Sequence, residues 1–238
     1  MKKNKHKNFY PEKVTEVFDG ADFHIKYCLS FIKKYLSGNT LEVGAGCGSF
    51  TRHYYKNKKI LSITMTEKDK ANILTLSKKF KNNKIMKVSN KGVSKLKKNF
   101  DVILYLHVLE HIKNDFLEVR LAIKKLKKNG FLVILAPAHN KMYSNLDKLV
   151  GHFRRYELVF FNKKIKSLKS LNLIELKFLD SAGYVLYFLN RLLFKKEKYP
   201  SKFKIFIWDK IFTPVSFIMD FIFRYKIGKC ILGVYKKN

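Results

Sequence analysis

The sequence is poor in cysteine, and its few cysteines lie far apart. Cys28, Cys47 and Cys230 are the only three among 238 residues. They show neither the spacing of a metal site nor the even number of a disulfide set. We therefore expect no metal site, and a reducing cytoplasm is the simplest location for such a chain.

Long apolar runs are also missing. No stretch reaches the 18 or more uninterrupted apolar residues that a membrane-spanning helix needs. The basic N-terminus continues into Phe9-Tyr10-Pro11-Glu12 without the apolar segment of a signal peptide. We therefore expect neither a transmembrane helix nor export. The length suits one α/β domain with additions.

Acidic residues are scarce, with 18 Asp and Glu against 50 Lys and Arg, a formal net charge of +32. Such an excess ordinarily indicates nucleic acid or an anionic membrane as a partner. However, 44 of the 50 cations are lysines spread along the whole chain, and asparagine is also abundant. A compositional bias and an affinity for a negatively charged surface therefore both stay open.

The most informative segment that is present runs from Leu41 to Thr51, where an apolar strand leads into a turn with glycines at 44, 46 and 48. Alternate glycines let backbone N–H groups approach a ligand closely. Glu67 closes the next apolar run, about where a βαβ nucleotide site holds a ribose diol. No Lys-Ser/Thr pair follows the glycines, and their spacing is not G-x-G-x-x-G, so ATP hydrolysis and dinucleotide binding are disfavoured.

The acid-x-Gly-x-Gly-x-Gly turn resembles the first motif of class I S-adenosylmethionine-dependent methyltransferases. The resemblance implies that Glu42 and the turn lie near the methionine part of the cofactor and that Glu67 binds the ribose. Many relatives carry an acid after strand three for the adenine amino group, and Ser89 or Asn90 would have to replace it here. The implied cofactor residues are Glu42, Gly44, Ala45, Gly46, Gly48, Glu67, Lys68, Ser89, Asn90, Leu106 and His107.

Apolar segments of strand and helix period alternate along the chain, which predicts a doubly wound, Rossmann-like parallel sheet. The predicted strands are 40–44, 60–66, 84–88, 101–106, 130–136, 173–179 and 230–236, and the predicted helices are 14–36, one from 48, 68–80 and 114–127. The methyltransferase resemblance implies that the seventh strand is antiparallel. We expect a single domain with an N-terminal helical segment (1–36), a cofactor-binding core (37–180), an apolar helical insertion (181–228) and the final strand (229–238).

The fourth predicted strand ends in His107-Val-Leu-Glu-His111, which resembles the fourth motif of small-molecule class I methyltransferases. At this exit the cofactor sulfonium and the acceptor should meet. Methyl transfer depends mainly on alignment, and a base is needed only where a hydroxyl must lose its proton. We take His107 and His111 as candidate catalytic residues, and helix capping or loop packing stays open for Glu110 and His111.

After the fifth strand, a segment resembles a subgroup of methyltransferases that carry Pro-Ala, a Leu/Met-Tyr, an Asp and Gly-His-x-Arg-Arg-Tyr in this order. Its adjacent arginines could bind a phosphate or carboxylate of the substrate, or form a salt bridge to Asp147 or Glu157. The candidate substrate-binding residues are Tyr143, Asp147, His152, Arg154, Arg155 and Tyr156.

Residues 182–226 are rich in aromatics and interrupted by lysines. A helical cover over the site, a dimer contact and an amphipathic anchor in a membrane interface all fit this composition.

Together the motifs predict methyl transfer from S-adenosylmethionine to an oxygen of a small-molecule or lipid-linked acceptor. An RNA methyltransferase is one alternative, although Tyr105-Leu106-His107-Val108 offers no clamp for a flipped base. A catalytically inactive module that docks to a membrane or an acidic partner is the other. The expected location is the cytoplasm, with peripheral contact to an anionic membrane as an option.

Overall fold

A computed structural model describes residues 20–193 and 201–238 and contains one seven-stranded sheet. The strands lie in the order β3-β2-β1-β4-β5-β7-β6, and β7 runs antiparallel to β5 and β6. This confirms the predicted Rossmann-like methyltransferase fold. The strands are β1 (Gly38–Val43), β2 (Ile60–Thr66), β3 (Met86–Ser89), β4 (Phe100–Leu106), β5 (Leu126–Pro137), β6 (Leu171–Leu179) and β7 (Cys230–Lys237).

Eight α-helices flank this sheet within the described residues. They are α1 (Asp22–Ile32), α2 (Thr51–Tyr54), α3 (Lys70–Lys79), α4 (Asp115–Lys125), α5 (Asn145–Leu149), α6 (Ser181–Leu193), α7 (Lys202–Ile207) and α8 (Thr213–Ile222). The predicted first helix began at residue 14, and its first six residues lie outside the described part. The helix expected from residue 48 is a single turn, because the left-handed glycine turn extends to Gly48.

The two central strands explain why the sheet is stable. In β4 and β5, apolar residues point to both faces and are buried on both, as expected for parallel strands covered by helices. One core cluster lies on each side of the sheet. β5 begins at Leu126, earlier than the predicted residue 130, because Phe100 pairs with Leu126 before a shift in register.

The last three helices form a cover that is joined to α1 by buried carboxylates. Asp220 accepts hydrogen bonds from the hydroxyl of Tyr27 and from the backbone N–H groups of Asp180 (2.7 Å) and Ser181 (2.8 Å). Asp180 in turn accepts a hydrogen bond from Trp208 Nε1 at 3.0 Å. Burial raises the pKa of Asp220, although these donors oppose the shift. Among the described helices, none is both long and apolar enough to cross a bilayer.

Replacing Asp220 should therefore destabilise the fold. Asp220→Ala would leave the buried N–H groups of Asp180 and Ser181 without their acceptor, and each such loss costs about 1–3 kcal/mol. We expect urea unfolding to show a free energy of unfolding lower by about 2–5 kcal/mol. Asp220→Asn, which keeps one acceptor oxygen, should lose less, and an Ala variant as stable as the parent would contradict this account.

Candidate active site

The carboxyl ends of β1, β2 and β4 meet at one edge of the sheet, and the glycine turn lies over that edge. Gly44, Gly46 and Gly48 have φ angles of +63°, +56° and +82°. L-residues rarely adopt this left-handed region, so the turn depends on glycine at these positions.

Each of the three glycines also has a different steric surrounding. A Cβ on Gly44 would lie 2.8 Å from the side chain of Val108, and one on Gly48 would lie 2.9 Å from the ring of Phe80. A Cβ on Gly46 would meet no atom within 4 Å. The backbone at Gly46 therefore borders open space, whereas the two outer glycines are packed against their neighbours.

Glu67, at the end of β2, lies against this turn. Its Oε2 accepts a hydrogen bond from Gly46 N at 2.8 Å, and its Oε1 accepts from the N–H groups of Lys68 (2.6 Å) and Asp69 (3.0 Å). The acid that the sequence places after the second strand thus adjoins the central glycine. Oε1 thus uses both of its lone pairs, whereas Oε2 has a further lone pair with which to accept a ligand hydroxyl.

Glu42 lies on β1 but faces the protein interior. Its buried Oε2 accepts hydrogen bonds from the hydroxyls of Thr51 and Tyr54, both on α2. Burial raises the pKa of Glu42 from 4.5 to about 7, against the effect of these two donors. In this structure Glu42 therefore fixes the helix that follows the turn.

The end of β3 carries the residues predicted to contact adenine. Ser89 is half-buried and its Oγ accepts a hydrogen bond from Lys91 N at 3.2 Å, while its carbonyl accepts from Glu67 N. Asn90 and Lys68 are exposed. Their contacts to the cofactor stay predictions.

At the exit of β4, His107 follows the buried Leu106 with a left-handed φ of +56°. Its ring centroid lies 6.3 Å from that of His24 and 6.2 Å from that of Phe50. Desolvation opposes a charge on the ring, but the interactions with Cys230 and Glu110 outweigh it and raise the pKa of His107.

Glu110, three residues after His107, is a buried acid that lacks hydrogen-bond partners. Its side chain is 1% exposed, and neither carboxylate oxygen has a hydrogen-bond partner in the described part of the chain. Oε1 faces His107 Nδ1 at 3.7 Å and His152 Nε2 at 3.9 Å, both too long for a hydrogen bond. The ring of His111 contacts that of His152 edge to face at 4.5 Å, and burial lowers the pKa of His111 to about 4.

The carboxylate of Asp147 has, in contrast, hydrogen-bond partners on both of its oxygens. Asp147 accepts hydrogen bonds from Ser144 and from Arg155 Nε (2.9 Å) and Nη2 (3.1 Å), and its Oδ1 lies 2.7 Å from His152 Nδ1. Although burial opposes the charge, these contacts hold the pKa of Asp147 well below its usual range. The carboxylate fixes the orientation of the His152 ring.

The second arginine of the pair contacts another acid. Arg154 Nη1 lies 2.7 Å from Asp115 Oδ2, which also accepts a hydrogen bond from the Tyr156 hydroxyl at 3.0 Å. Of the two alternatives for the arginines, the structure thus shows salt bridges within the chain, to Asp147 and Asp115. Glu157 instead accepts a hydrogen bond from Asn140 N. The Tyr143 hydroxyl donates to the carbonyl of His152 at 2.6 Å and shapes the same loop.

A comparison with known families identifies this arrangement. Residues 21–176, more than half of the chain, match the family model described as a methyltransferase domain. The chain belongs to this methyltransferase family. Its glycine turn and sheet are those of the class I enzymes, whose cofactor is S-adenosylmethionine.

Solved structures share the fold of this methyltransferase at low sequence identity. Coclaurine N-methyltransferase bound to N-methylheliamine and SAH has a TM-score of 0.61 at 15% identity, with 91% of this chain and 72% of that chain covered. The N-methyltransferase NodS from Bradyrhizobium japonicum WM9 with S-adenosyl-L-homocysteine has a TM-score of 0.60 at 14% identity, with 97% and 94% covered. A Haloferax volcanii chain in complex with the Trm112 methyltransferase activator has a TM-score of 0.61 at 10% identity, with 95% and 97% covered. No curated protein matches the chain.

The residues of the methyltransferase fit its cofactor. The open space at Gly46 would receive the methionine part, because backbone N–H groups border it without a side chain. Glu67, buried and adjacent to Gly46, presents an acceptor oxygen for the ribose hydroxyls. Ala45 and Leu106 are buried at this edge, in the same core cluster.

Two residues beside the site were not found from the sequence. His24 lies on α1 and Cys230 begins β7, and together with His107 they bring three side-chain donor atoms within 4.8 Å of one another. Interaction with His107 and His24 lowers the pKa of the Cys230 thiol, although burial opposes this. More than 200 positions separate His24 from Cys230, so only the fold brings them together.

The buried Glu42 should give stability a measurable pH dependence. Because its pKa rises from 4.5 to about 7 on folding, its contribution is fully present below pH 4.5 and is lost as the pH rises through 7. Glu42→Gln does not titrate. Between pH 5 and pH 8, the free energy of unfolding of the parent, measured in urea, should fall by up to about 3 kcal/mol relative to that of the Glu42→Gln variant. An unchanged difference between the two proteins at both pH values would contradict the assignment.

Gly46 should be the position where a side chain most directly blocks the cofactor. Gly46→Val places its Cβ in open space, so the cost to folding comes from the left-handed backbone, which a β-branched residue adopts least readily, and amounts to at least about 1–2 kcal/mol. We expect calorimetric affinity for S-adenosylmethionine to fall by at least about tenfold, which corresponds to about 1.4 kcal/mol.

Gly92→Ala is the matched control, because a Cβ there also meets open space and φ is an ordinary −66°. Equal affinity of the Gly46→Val variant and the parent would place the cofactor elsewhere.

Proposed function

We propose that this methyltransferase transfers the methyl group of S-adenosylmethionine to a hydroxyl oxygen of a small-molecule or lipid-linked acceptor. The observation that carries this proposal is the buried Glu110, whose two carboxylate oxygens lack hydrogen-bond donors within the described residues. A buried carboxylate that accepts no hydrogen bond is costly, so a donor from a ligand is expected to complete it. A hydroxyl group of the acceptor is such a donor.

His152 is suited to take over the single proton of that hydroxyl, because its Nε2 lies 3.9 Å from Glu110 Oε1; as the oxygen attacks the methyl group, the proton leaves its hydrogen bond with Glu110 and is transferred to Nε2. Asp147 lies 2.7 Å from its Nδ1, which favours the tautomer that leaves Nε2 as a proton acceptor on the side of Glu110. The salt bridge from Arg155, with two hydrogen bonds, holds Asp147 in place. The arrangement of carboxylate and imidazole is the one that general base catalysis uses. His111 contacts His152 edge to face and limits its rotation.

His107 adjoins both the cofactor edge and Glu110. With a raised pKa it carries a positive charge near neutral pH, which balances the charge of Glu110. When bound, S-adenosylmethionine supplies an electrophilic methyl group on a sulfonium. The role of the protein is then mainly to align the acceptor oxygen with this methyl group, since in-line geometry supplies most of the acceleration.

The RNA and inactive alternatives differ from this proposal in their products. An RNA methyltransferase would label the nucleic-acid fraction of an extract, and an inactive module would bind S-adenosylmethionine without any labelled product. The lysine-rich composition supports the RNA alternative by charge alone.

The proposal is tested with S-adenosylmethionine that carries a ¹³C-methyl group. The protein is incubated with small-molecule, lipid and RNA fractions, and products that have gained one CH₂ are sought by mass spectrometry. We expect a product in the small-molecule or lipid fraction, with a methyl carbon shift typical of an O-methyl group in NMR. Label in RNA alone, an N-methyl shift, or binding without product would each overturn the proposal.

The rate at which this methylated product forms then tests His152. His152→Ala should lower that rate by about 10²-fold or more, the usual contribution of a general base. Affinity for S-adenosylmethionine should not change, because His152 does not contact the glycine turn. His53→Ala is the matched control. His53 pairs with Asp22, which keeps its salt bridge to Arg52 at 2.6 Å. A rate equal to that of the control would exclude His152 as the base.

A further inference from the structure

The helical run from residue 202 to residue 222 has its apolar side chains on the outside. It comprises α7, a π-helical turn (Trp208–Phe212) and α8, joined by helical backbone at Ile207 and Phe212. The exposed apolar residues lie three or four positions apart within the α-helices, or five across the π-helical turn, and two adjacent pairs widen the resulting stripe. We call this stripe the apolar face, and it consists of Phe203, Phe206, Ile211, Val215, Phe217, Ile218, Phe221 and Ile222.

The opposite side of the run is buried and mostly polar. Asp209, Thr213, Ser216 and Asp220 are each at most 2% exposed, whereas Phe221 is 73% exposed. Their polar groups are paired inside the cover, as in the hydrogen bond from Ser216 Oγ to Asp180 at 2.8 Å. A water-facing helix normally has the reverse arrangement. In this run the buried side carries the polar contacts and the exposed side carries the apolar side chains, so packing against the protein does not account for the apolar stripe.

The charges around the apolar face are of one sign. The only acids in residues 201–226 are Asp209 and Asp220, and both are buried. Lys202 at the start of the run and Arg224 and Lys226 just after it are exposed. The outer surface of this segment thus combines apolar rings with cations and carries no exposed carboxylate.

We propose that the apolar face docks the protein onto an anionic lipid surface, with the helical run lying in the plane of the interface. An amphipathic helix with aromatic and aliphatic residues on one side and basic residues at its margins binds lipids in this way. Apolar burial supplies part of the affinity, and each lysine or arginine near anionic headgroups adds to it. A patch of eight large apolar side chains exposed to water on a protein surface marks an interaction site.

The apolar face belongs to the same cover that adjoins the active site. Trp208, on the inner side of the run, packs on His24 with ring centroids 4.6 Å apart, and His24 is next to His107. A docked protein would hold its acceptor site close to the lipid surface. The docking proposal does not depend on which atom is methylated.

Flotation of the full chain with vesicles tests this proposal. Vesicles of phosphatidylcholine alone are compared with vesicles that contain phosphatidylglycerol. We expect the parent to bind the anionic vesicles and Phe221→Glu to bind them about tenfold or more weakly. The variant loses a ring that docking would bury in the lipid, and its added carboxylate is repelled by the anionic headgroups. Lys202→Glu with Lys226→Glu should weaken it similarly. Leu74→Glu, at a 61% exposed position on α3, is the matched control and should bind as the parent does.

Calorimetry with S-adenosylmethionine is run on every variant and should show unchanged affinity, so that loss of docking is distinguished from loss of the active site. Absence of binding to anionic vesicles at low salt would overturn the proposal. So would equal binding of Phe221→Glu and Leu74→Glu. A dimer that Phe221→Glu dissociates, or binding of RNA that this variant abolishes, without binding to vesicles, would assign the face to a different partner and would also overturn it.

Discussion

The structure depends on one constraint, the left-handed backbone of the glycine turn after β1. The chain must reverse from strand to helix there while its N–H groups stay accessible, and no side chain fits at Gly44 or Gly48 without displacing a neighbour. Two carboxylates stabilise the turn from different sides. Glu42 holds the following helix from within the core, and Glu67 accepts a hydrogen bond from the N–H of Gly46 at the end of β2. The cofactor site is thus built mainly from backbone, and side chains act as its supports.

The acceptor side follows a different principle, because it is built from buried side-chain charges. Asp147 is paired with Arg155 and His152, and Asp115 with Arg154 and Tyr156, so these two acids link the loop after β5 to its neighbours. Glu110 lies next to His152 yet has no hydrogen-bond donor in the described residues. A buried carboxylate without a donor is costly, which supports a ligand at this position. The helical cover, in turn, has its polar groups on the inside and its apolar rings on the outside.

The sequence predicted the seven-stranded sheet and the glycine turn followed by Glu67, because these depend on local periodicity and on short motifs. Helix and strand ends were less accurate, as at β5, where pairing with Phe100 decides the first residue. The motif after β5 was found, but whether its arginines bind an anion or the chain's own acids depends on distances that no spacing encodes. The approach of His24 and Cys230 to His107, and the inverted polarity of α8, arise from tertiary packing alone.

We infer that the space at Gly46 and the exit of β4 form one continuous site for cofactor and acceptor. A crystal structure with bound S-adenosylhomocysteine would decide this. We expect the homocysteine part along Gly44 to Gly48, the ribose hydroxyls within hydrogen-bond distance of Glu67, and the sulfur facing the cluster of His107, Glu110 and His152. A product bound away from Glu67, or with its sulfur facing away from Glu110, would contradict it.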